Sequence, residues 1–297
     1  MLGAGVFLGL SALEFESLTG RWDHRRALSL LHQELFAQTL AKLGDPKLAA
    51  SGAIAHIGHS THLIVVNGVR FLTDPWFHDP AFGSMAHEHP LPARPEEITP
   101  LDAILITHDH PDHIDLDALS MLPDSATCIV ATNELAQKAK NAGRKETHVL
   151  APWETFSLRD VKVTAVPALH DIYEIGFVLQ GAGTSVYFAG DTKLHPALPE
   201  IRERFAPQAS ILPVDGTRIR GGELHVMRPE HAVEAARILG SRVVMPSHAE
   251  GVLYDPLAKY VISDNIDGSG LIFRDLMKAA LPTIRCELPM PGELVLI

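Results

Sequence analysis

Short apolar runs separated by turn residues dominate the chain from residue 53 onward. Ala53–Gly58, 62–66 and Val69–Thr73 are the first such runs, and the Asn67-Gly68 pair between the last two is a strong hairpin signal. Further runs of strand length follow at 101–106, 128–131, Val161–Pro167, 176–179, 185–189, 210–214 and 242–245. Their length and their branched residues are typical of buried strands.

Helical patterns alternate with these strands. Residues 25–43 carry apolar side chains at near-helical spacing and end at Gly44, and residues 134–142 form a second pattern that stops at Gly143. Two more helices are predicted, one at 115–122 beginning near Asp115 or Asp117 and one at Pro229–Leu239. Strands that alternate with helices indicate an α/β fold.

The chain has 297 residues, 46% of them hydrophobic, which is enough for a large core in one or two domains. After residue 52 there is no linker-like run, no internal repeat and no low-complexity tract. We therefore expect a helical extension over residues 1–52 and a single domain over residues 53–297.

The net charge and the cysteine content limit which binding partners and which cellular compartment are expected. A net charge of -11 without a basic cluster argues against a nucleic-acid partner. Cys128 and Cys286 are too few for a disulfide framework, which fits a reducing compartment and predicts a cytoplasmic protein.

The N-terminal segment leaves alternatives open. Residues 1–13 are apolar but shorter than the roughly 20 residues that a spanning helix needs, and no Lys or Arg precedes them. They are not read as a signal peptide, although a truncated leader would make the protein membrane-associated or exported. The helix at 25–43 either packs on its own domain or a second copy of the chain, or serves as a lid or a membrane-surface contact.

The stretch with the most potential metal ligands directly follows the predicted strand 101–106. Residues 107–115 contain three imidazoles and three carboxylates and no cysteine. Neutral imidazole and carboxylate oxygen bind zinc and also suit manganese or iron, and a surplus of such groups without thiolate is typical of a catalytic site. His108 and His110 alternate on an extended backbone and can point the same way, while Asp112 and His113 follow on a turn and can reach a second ion. The alternative is a solvated polar loop.

His108, His110, Asp112 and His113 form the pattern His-x-His-x-Asp-His, and in this motif the chain resembles the metallo-β-lactamase superfamily. The sequence segments 57–61, 71–75 and 227–232 are similar to one branch of this superfamily. That branch contains the L-ascorbate 6-phosphate lactonases and the phospholipase D that hydrolyses N-acyl-phosphatidylethanolamine. His231 departs from the branch pattern, where a second Glu is expected. The resemblance covers roughly residues 53–297, and 284–297 fits the family's closing strand.

The resemblance implies a four-layer αβ/βα sandwich of two mixed sheets, with two divalent metal ions at one rim. Zinc is expected first, with manganese or iron as alternatives. The implied first-ion ligands are His108, His110 and His170. The implied second-ion ligands are Asp112, His113 and His248, with Asp191 bridging the two ions.

The chemistry implied is hydrolysis by a hydroxide shared between two ions. Asp112 is expected to orient the nucleophile, and a bound water or His225 to protonate the leaving oxygen. Arg218, Arg220 and Arg228 either clamp a phosphate or are simply solvated. His59 is predicted near the metals, as a substrate contact or a structural residue. Part of the substrate pocket is expected in the long loop at 76–94.

Several function classes remain open from the sequence. The first is a hydrolase that opens a lactone or a phosphodiester bond of a small-molecule or lipid-like substrate. The others are an iron-dependent redox enzyme, a β-lactam-type amide hydrolase and a non-enzymatic binding protein. The chain is also a candidate homo-oligomer.

Overall fold

The computed structural model describes residues 12–45, 52–218, 222–261 and 268–297. The strands are β1 (Ala53–Gly58), β2 (Thr61–Val66), β3 (Val69–Thr73), β4 (Met85–His87), β5 (Ala103–Ile106), β6 (Thr127–Val130), β7 (Thr147–Val149), β8 (Thr155–Leu158), β9 (Val161–Pro167), β10 (Ile175–Gly181), β11 (Thr184–Phe188), β12 (Ala209–Pro213), β13 (Val243–Ser247), β14 (Gly251–Leu253), β15 (Arg285–Cys286) and β16 (Leu294–Leu296). The helices are α1 (Ala12–Lys42), α2 (Leu116–Met121), α3 (Asn133–Asn141), α4 (Leu198–Phe205), α5 (Pro229–Leu239), α6 (Pro256–Val261) and α7 (Ser269–Ala280).

Two mixed sheets of seven strands each make up the centre of the fold. The first sheet has the order β16-β1-β2-β3-β5-β6-β7, antiparallel from β16 to β3 and parallel from β3 to β7. The second has the order β15-β13-β12-β11-β10-β9-β8, with an antiparallel half from β8 to β11 and a parallel half from β11 to β15. A separate pair joins β14 to β4.

The turn between β2 and β3 confirms the hairpin that Asn67-Gly68 predicts. Both residues have positive φ, 48° for Asn67 and 76° for Gly68, as the favoured two-residue hairpin turns require. Every residue of β2 and all but one of β3 are buried. These strands therefore lie inside the sandwich, and the hairpin fixes their register.

The sheets pack face to face, with helices on their outer surfaces. His62 of β2 and Phe188 of β11 meet across the interface with ring centroids 6.1 Å apart, and one apolar cluster contains side chains of both sheets. Leu119 of α2 and Leu135 of α3 belong to that cluster. A second cluster joins α4, α5 and α7 to the other sheet; examples are Ile201, Leu239, Phe273 and Tyr187. The layer order confirms the αβ/βα sandwich.

The C-terminal half of α1 packs on the domain. Phe36 and Leu43 are each 3% exposed, and the hydroxyl of Thr39 donates to the carbonyl of Gly292. Gly292 has a φ of 94°, and a Cβ there would lie 2.5 Å from the carbonyl oxygen of His32. Glycine is therefore needed for the helix to approach this closely. An additional role as a lid or membrane contact, and the domain boundary at residue 52, stay predictions.

The end of the chain differs from the sequence expectation. Residues 284–297 do not form one closing strand; β15 pairs with β13 in the second sheet and β16 pairs with β1 in the first. Pro289, Pro291 and Gly292 lie between the two strands, and prolines interrupt a strand because they cannot donate to the ladder. The chain therefore crosses from one sheet to the other at this point.

None of the helices in the described ranges has the length and apolar character needed to cross a membrane.

Candidate metal centre

The predicted ligands gather at one rim of the sandwich because each follows the carboxyl end of a strand. His108, His110, Asp112 and His113 follow β5, His170 follows β9, Asp191 follows β11 and His248 follows β13. Ligand sites in α/β folds form at this edge, where chain turns leave neighbouring strands. His59 after β1 and Asp74 after β3 arrive at the same place.

His108, His110, His170 and Asp191 form what we call the outer cluster. The Nδ1 atom of His110 lies 3.0 Å from Nε2 of His108 and 3.3 Å from Nε2 of His170. His108 and Asp191 are buried, whereas His110 and His170 are partly exposed. Three imidazole nitrogens thus converge on one point. The side chain of His170 is only 2% exposed, although the residue lines the cavity described below.

His59, Asp112, His113 and His248 form the inner cluster, in which every residue is buried. The Oδ2 atom of Asp112 lies 3.3 Å from Nε2 of both His59 and His248. Asp191 sits between the clusters, its Oδ2 being 3.1 Å from His113 Nε2, 2.9 Å from His248 Nε2 and 3.9 Å from His108 Nε2. The structure therefore brings all seven predicted ligands together and adds His59.

Several atoms at this centre are suited to a cation. Asp112 Oδ1, Asp191 Oδ1 and His113 Nε2 are buried and have no hydrogen-bond partner within the described chain. Buried polar atoms nearly always have a partner, so such orphans call for a ligand. Imidazole nitrogen and carboxylate oxygen are the donors that zinc, manganese or iron accept. The donor set fits a metal centre.

The charge balance of the centre supports the same conclusion. Burial lowers the pKa of His108, His110 and His170, so these rings are neutral donors. Burial also acts against the charge on His113, but Asp191, Asp112 and Asp74 outweigh it and hold the His113 pKa well above its ordinary value.

The carboxylates show the opposite shift. Burial raises the pKa of Asp112 and Asp191, but His113 and His248 outweigh it, so both pKa values lie well below the ordinary range. These two buried carboxylates therefore require positive charge beside them. A divalent cation supplies that charge, and its binding releases protons from the imidazoles.

Carboxylates and a carbonyl behind the ligands fix the imidazole rings. Asp74 Oδ2 accepts from His113 Nδ1 at 2.7 Å and is itself held by the hydroxyl of Thr107. The carbonyl of His225 accepts from His170 Nδ1 at 2.9 Å, and Asp215 Oδ2 lies 3.0 Å from His248 Nδ1. Such partners leave the other ring nitrogen free for a metal.

Glu174 supports the bridging position. Its Oε1 accepts from the backbone N–H of Asp191 at 2.6 Å and lies 3.3 Å from His108 Nδ1. A Cβ on Gly190 would lie 2.0 Å from that oxygen, so glycine is required there. The roles of Asp74, Asp215 and Glu174 are not predicted from the sequence. Asp74 and Asp215 follow strand ends as the ligands do, which is a usable signal, whereas Glu174 carries none.

A cavity of about 650 Å³ opens onto both clusters. Residues 82–85 form part of its wall, so the long loop contributes to the pocket as the sequence predicts. Phe82, Met85, Val226, Leu253 and Leu257 make much of the wall apolar. The acidic side chains beside the two clusters in this wall are Asp171 and Asp255, and no Lys or Arg belongs to it within the described ranges.

The predicted substrate residues occupy different places. His225 lines the cavity, and its Nδ1 lies 2.9 Å from Asp171, whose other oxygen is 2.8 Å from His170 Nε2. Arg218 is described but is not part of the cavity wall, and Arg220 lies outside the described residues. His59 is 1% exposed and belongs to the inner cluster instead of the wall. Substrate contacts from Arg218, Arg220 and His59 stay predictions.

Comparison with known proteins agrees with this geometry. Residues 69–249 match the family described as beta-lactamase superfamily domain. A UPF0173 metal-dependent hydrolase from Rubrobacter xylanophilus is 32% identical over 66% of this chain and 80% of its own, and one from Caldivirga maquilingensis is 27% identical over 82% of this chain and 97% of its own.

A solved structure supports the fold. The metallo hydrolase of Ignicoccus hospitalis superposes with a TM-score of 0.63 at 24% identity, covering 83% of this chain and 98% of that one. The chain therefore belongs to the UPF0173 metal-dependent hydrolases of the beta-lactamase superfamily.

Proposed function

We propose that the protein uses two divalent cations, one in each cluster, to hydrolyse an uncharged lactone or carboxylic ester. The observation that carries the proposal is the juxtaposition of the two clusters with the cavity of about 650 Å³. Asp191, which lies between the clusters, would contribute a carboxylate to both sites. Zinc is the first expectation because the site holds imidazole and carboxylate without thiolate, with manganese or iron as alternatives.

When bound, the ions lower the pKa of a shared water from about 15.7 toward 7, so that hydroxide is present near neutral pH. The residues of the chain provide the rest of the chemistry. Asp112 Oδ1 is buried without a hydrogen-bond partner in the described chain, and it is positioned to orient the nucleophile. The cavity would hold the substrate against His110 and His170, both of which line its wall.

His225 is the proposed proton donor to the leaving oxygen. Its side chain lines the cavity, and Asp171 fixes the ring through Nδ1 at 2.9 Å. Asp171 also contacts His170, so the ring of His225 is held at the edge of the outer cluster. A positioned imidazole of this kind contributes about 10²- to 10⁴-fold to proton transfer.

The wall of the cavity favours a lactone or ester over a phosphodiester. A phosphodiester carries a negative charge, and its recognition usually uses Arg or Lys. The described wall offers Asp171 and Asp255 instead, both of which repel an anion. Phe82 and Leu257 are 50% and 72% exposed at the cavity, which suits an apolar substituent on a small-molecule or lipid-like substrate.

The test is proton release by metal-reconstituted protein with matched substrates. One series holds lactones and carboxylic esters with alkyl chains of increasing length, and the other holds phosphodiesters with the same chains. We expect acid from the first series, growing with chain length, and none after chelation of the metal. Acid from phosphodiesters alone contradicts the substrate assignment and makes Arg218 and Arg220 the next residues to substitute.

A further inference from the structure

We propose that His59 is a fourth side-chain ligand of the ion in the inner cluster, beyond Asp112, His113 and His248. The inference rests on the proposed function, because it requires an ion in this cluster. It gives that ion three imidazoles and one carboxylate of its own, in addition to the shared Asp191.

The distances around Asp112 support a ligand role for His59. His59 Nε2 and His248 Nε2 each lie 3.3 Å from the same oxygen, Oδ2 of Asp112, so His59 has the same relation to this carboxylate as the predicted ligand His248. Two ligand atoms that are each about 2.1 Å from one ion and about 90° to 110° apart around it lie roughly 3.0 to 3.4 Å from one another. The observed separations match that spacing. The ligand atoms of all four inner residues lie within 4.8 Å of one another.

The backbone conformation of His59 also matches that of His248. His59 and His248 both have a φ of 52°, in the left-handed region that a residue with a Cβ rarely adopts. Such conformations are strained and persist where the surroundings impose them, often at functional sites. Glu250 accepts from the backbone N–H of His59, and the N–H of His248 approaches the His59 carbonyl at 3.4 Å. The two strained turns therefore hold each other, and both direct an imidazole to the same point.

The side chain of His59 is buried behind the cavity wall. Trp76 contacts the His59 ring edge to face, with centroids 5.2 Å apart, and His59 is 1% exposed. A substrate in the cavity therefore meets the outer cluster before it meets His59. With His59 as a ligand the inner ion would be enclosed by side chains on the side away from the cavity, while Asp112 and His248 face the cavity. The outer site keeps a position facing the cavity for substrate.

The competing role for His59 is a hydrogen-bond donor that merely positions Asp112. A glutamine side chain can still donate a hydrogen bond but replaces imidazole poorly as a metal ligand. His59→Gln therefore distinguishes the two roles. His59→Gly provides a second variant, because the positive φ suits glycine and the missing ring leaves space for added imidazole. His62→Gln is the matched control, since His62 is equally buried but contacts His56 and Ser60.

The experiment is a titration of the metal-free full chain with Co²⁺, followed by visible absorption and by the number of ions bound. We expect two ions in the wild type and in His62→Gln. In His59→Gln the ion of the inner cluster should bind about 10- to 100-fold more weakly, and its absorption band should change. Imidazole should restore the wild-type band in His59→Gly.

Wild-type affinity and absorption in His59→Gln would overturn the ligand role and leave the proposed function standing. Failure of imidazole to restore the band in folded His59→Gly would also contradict it. A wild-type protein that binds fewer than two ions contradicts the proposed function itself, so the two failures are distinguishable.

Discussion

The two clusters use the same kinds of side chain but differ in burial. All four residues of the inner cluster are buried, whereas His110 of the outer cluster is partly exposed at the cavity. Carboxylates lie behind both clusters: Asp74 and Asp215 lie against His113 and His248 of the inner one, and Glu174 and Asp171 lie against His108 and His170 of the outer one. Under the proposed function, this difference in burial predicts a division of tasks, in which the inner cluster holds its ion deeper in the protein and the outer one meets the substrate.

The charges follow the same division. Burial lowers the pKa of His108, His110 and His170, while the surrounding carboxylates outweigh burial and raise that of His113 and His248. The demand for positive charge is therefore concentrated in the inner cluster. The inner site is expected to bind its ion more tightly than the outer site.

Asp191→Ala should have the largest effect because it removes the carboxylate between the clusters and tests whether they act as one centre. We expect binding of both ions to weaken and turnover to fall below about 1%, since losing even an outer partner of a ligand costs about 10- to 100-fold. Metal content and activity are the measurements. Asp109→Ala is the control, because Asp109 lies within the motif but pairs with Lys138. Retained metal and turnover in Asp191→Ala would break the two-ion account.

His225→Ala should affect the chemistry at the outer cluster and leave the inner cluster unchanged. We expect kcat to fall about 100-fold or more because the proton donor is lost, with both ions still bound. The carbonyl that holds His170 is part of the backbone and remains. Turnover at saturating substrate and metal content are measured side by side. Unchanged turnover would remove His225 from the mechanism.

Asp74→Asn should weaken the inner site selectively. The amide no longer provides the negative charge that holds His113 Nδ1, so the affinity for the inner ion should fall about 10- to 100-fold. Zinc or Co²⁺ titration measures it. Asp102→Asn serves as the control, since Asp102 accepts from the backbone of Arg70. Equal weakening at both sites would argue against the division between the clusters.

Leu257→Ser should produce the smallest effect, at the mouth of the cavity. A loss of about 1 kcal/mol of apolar contact raises KM about fivefold for a long-chain substrate and leaves kcat and metal content unchanged. Leu271→Ser is matched to it, because Leu271 is 51% exposed on α7 and lies outside the cavity wall. A KM that does not depend on chain length in either protein would count against an apolar substrate.

The sequence predicts the parts of this molecule that local patterns encode. The hairpin at Asn67-Gly68, the helix at Pro229–Leu239 and the strand before His108 are found as predicted. The motif and the family resemblance also name seven predicted ligands, which the structure brings together although some are distant in the chain.

Long-range features could not be predicted in the same way. The division of residues 284–297 between two sheets depends on partners in β13 and β1. Glu174 reaches Asp191 only because β10 lies beside β11, and no local pattern marks it. His59 was predicted near the metals, but its equivalence to His248 depends on two turns meeting in space.

The most direct test of the account is anomalous X-ray diffraction from crystals of the zinc-reconstituted protein, recorded on both sides of the zinc edge. The account predicts two peaks roughly 3.5 to 4 Å apart on either side of Asp191. The inner peak should lie about 2.0 to 2.1 Å from an imidazole nitrogen of His113 and of His248. A single peak, or two peaks outside the clusters, would contradict it.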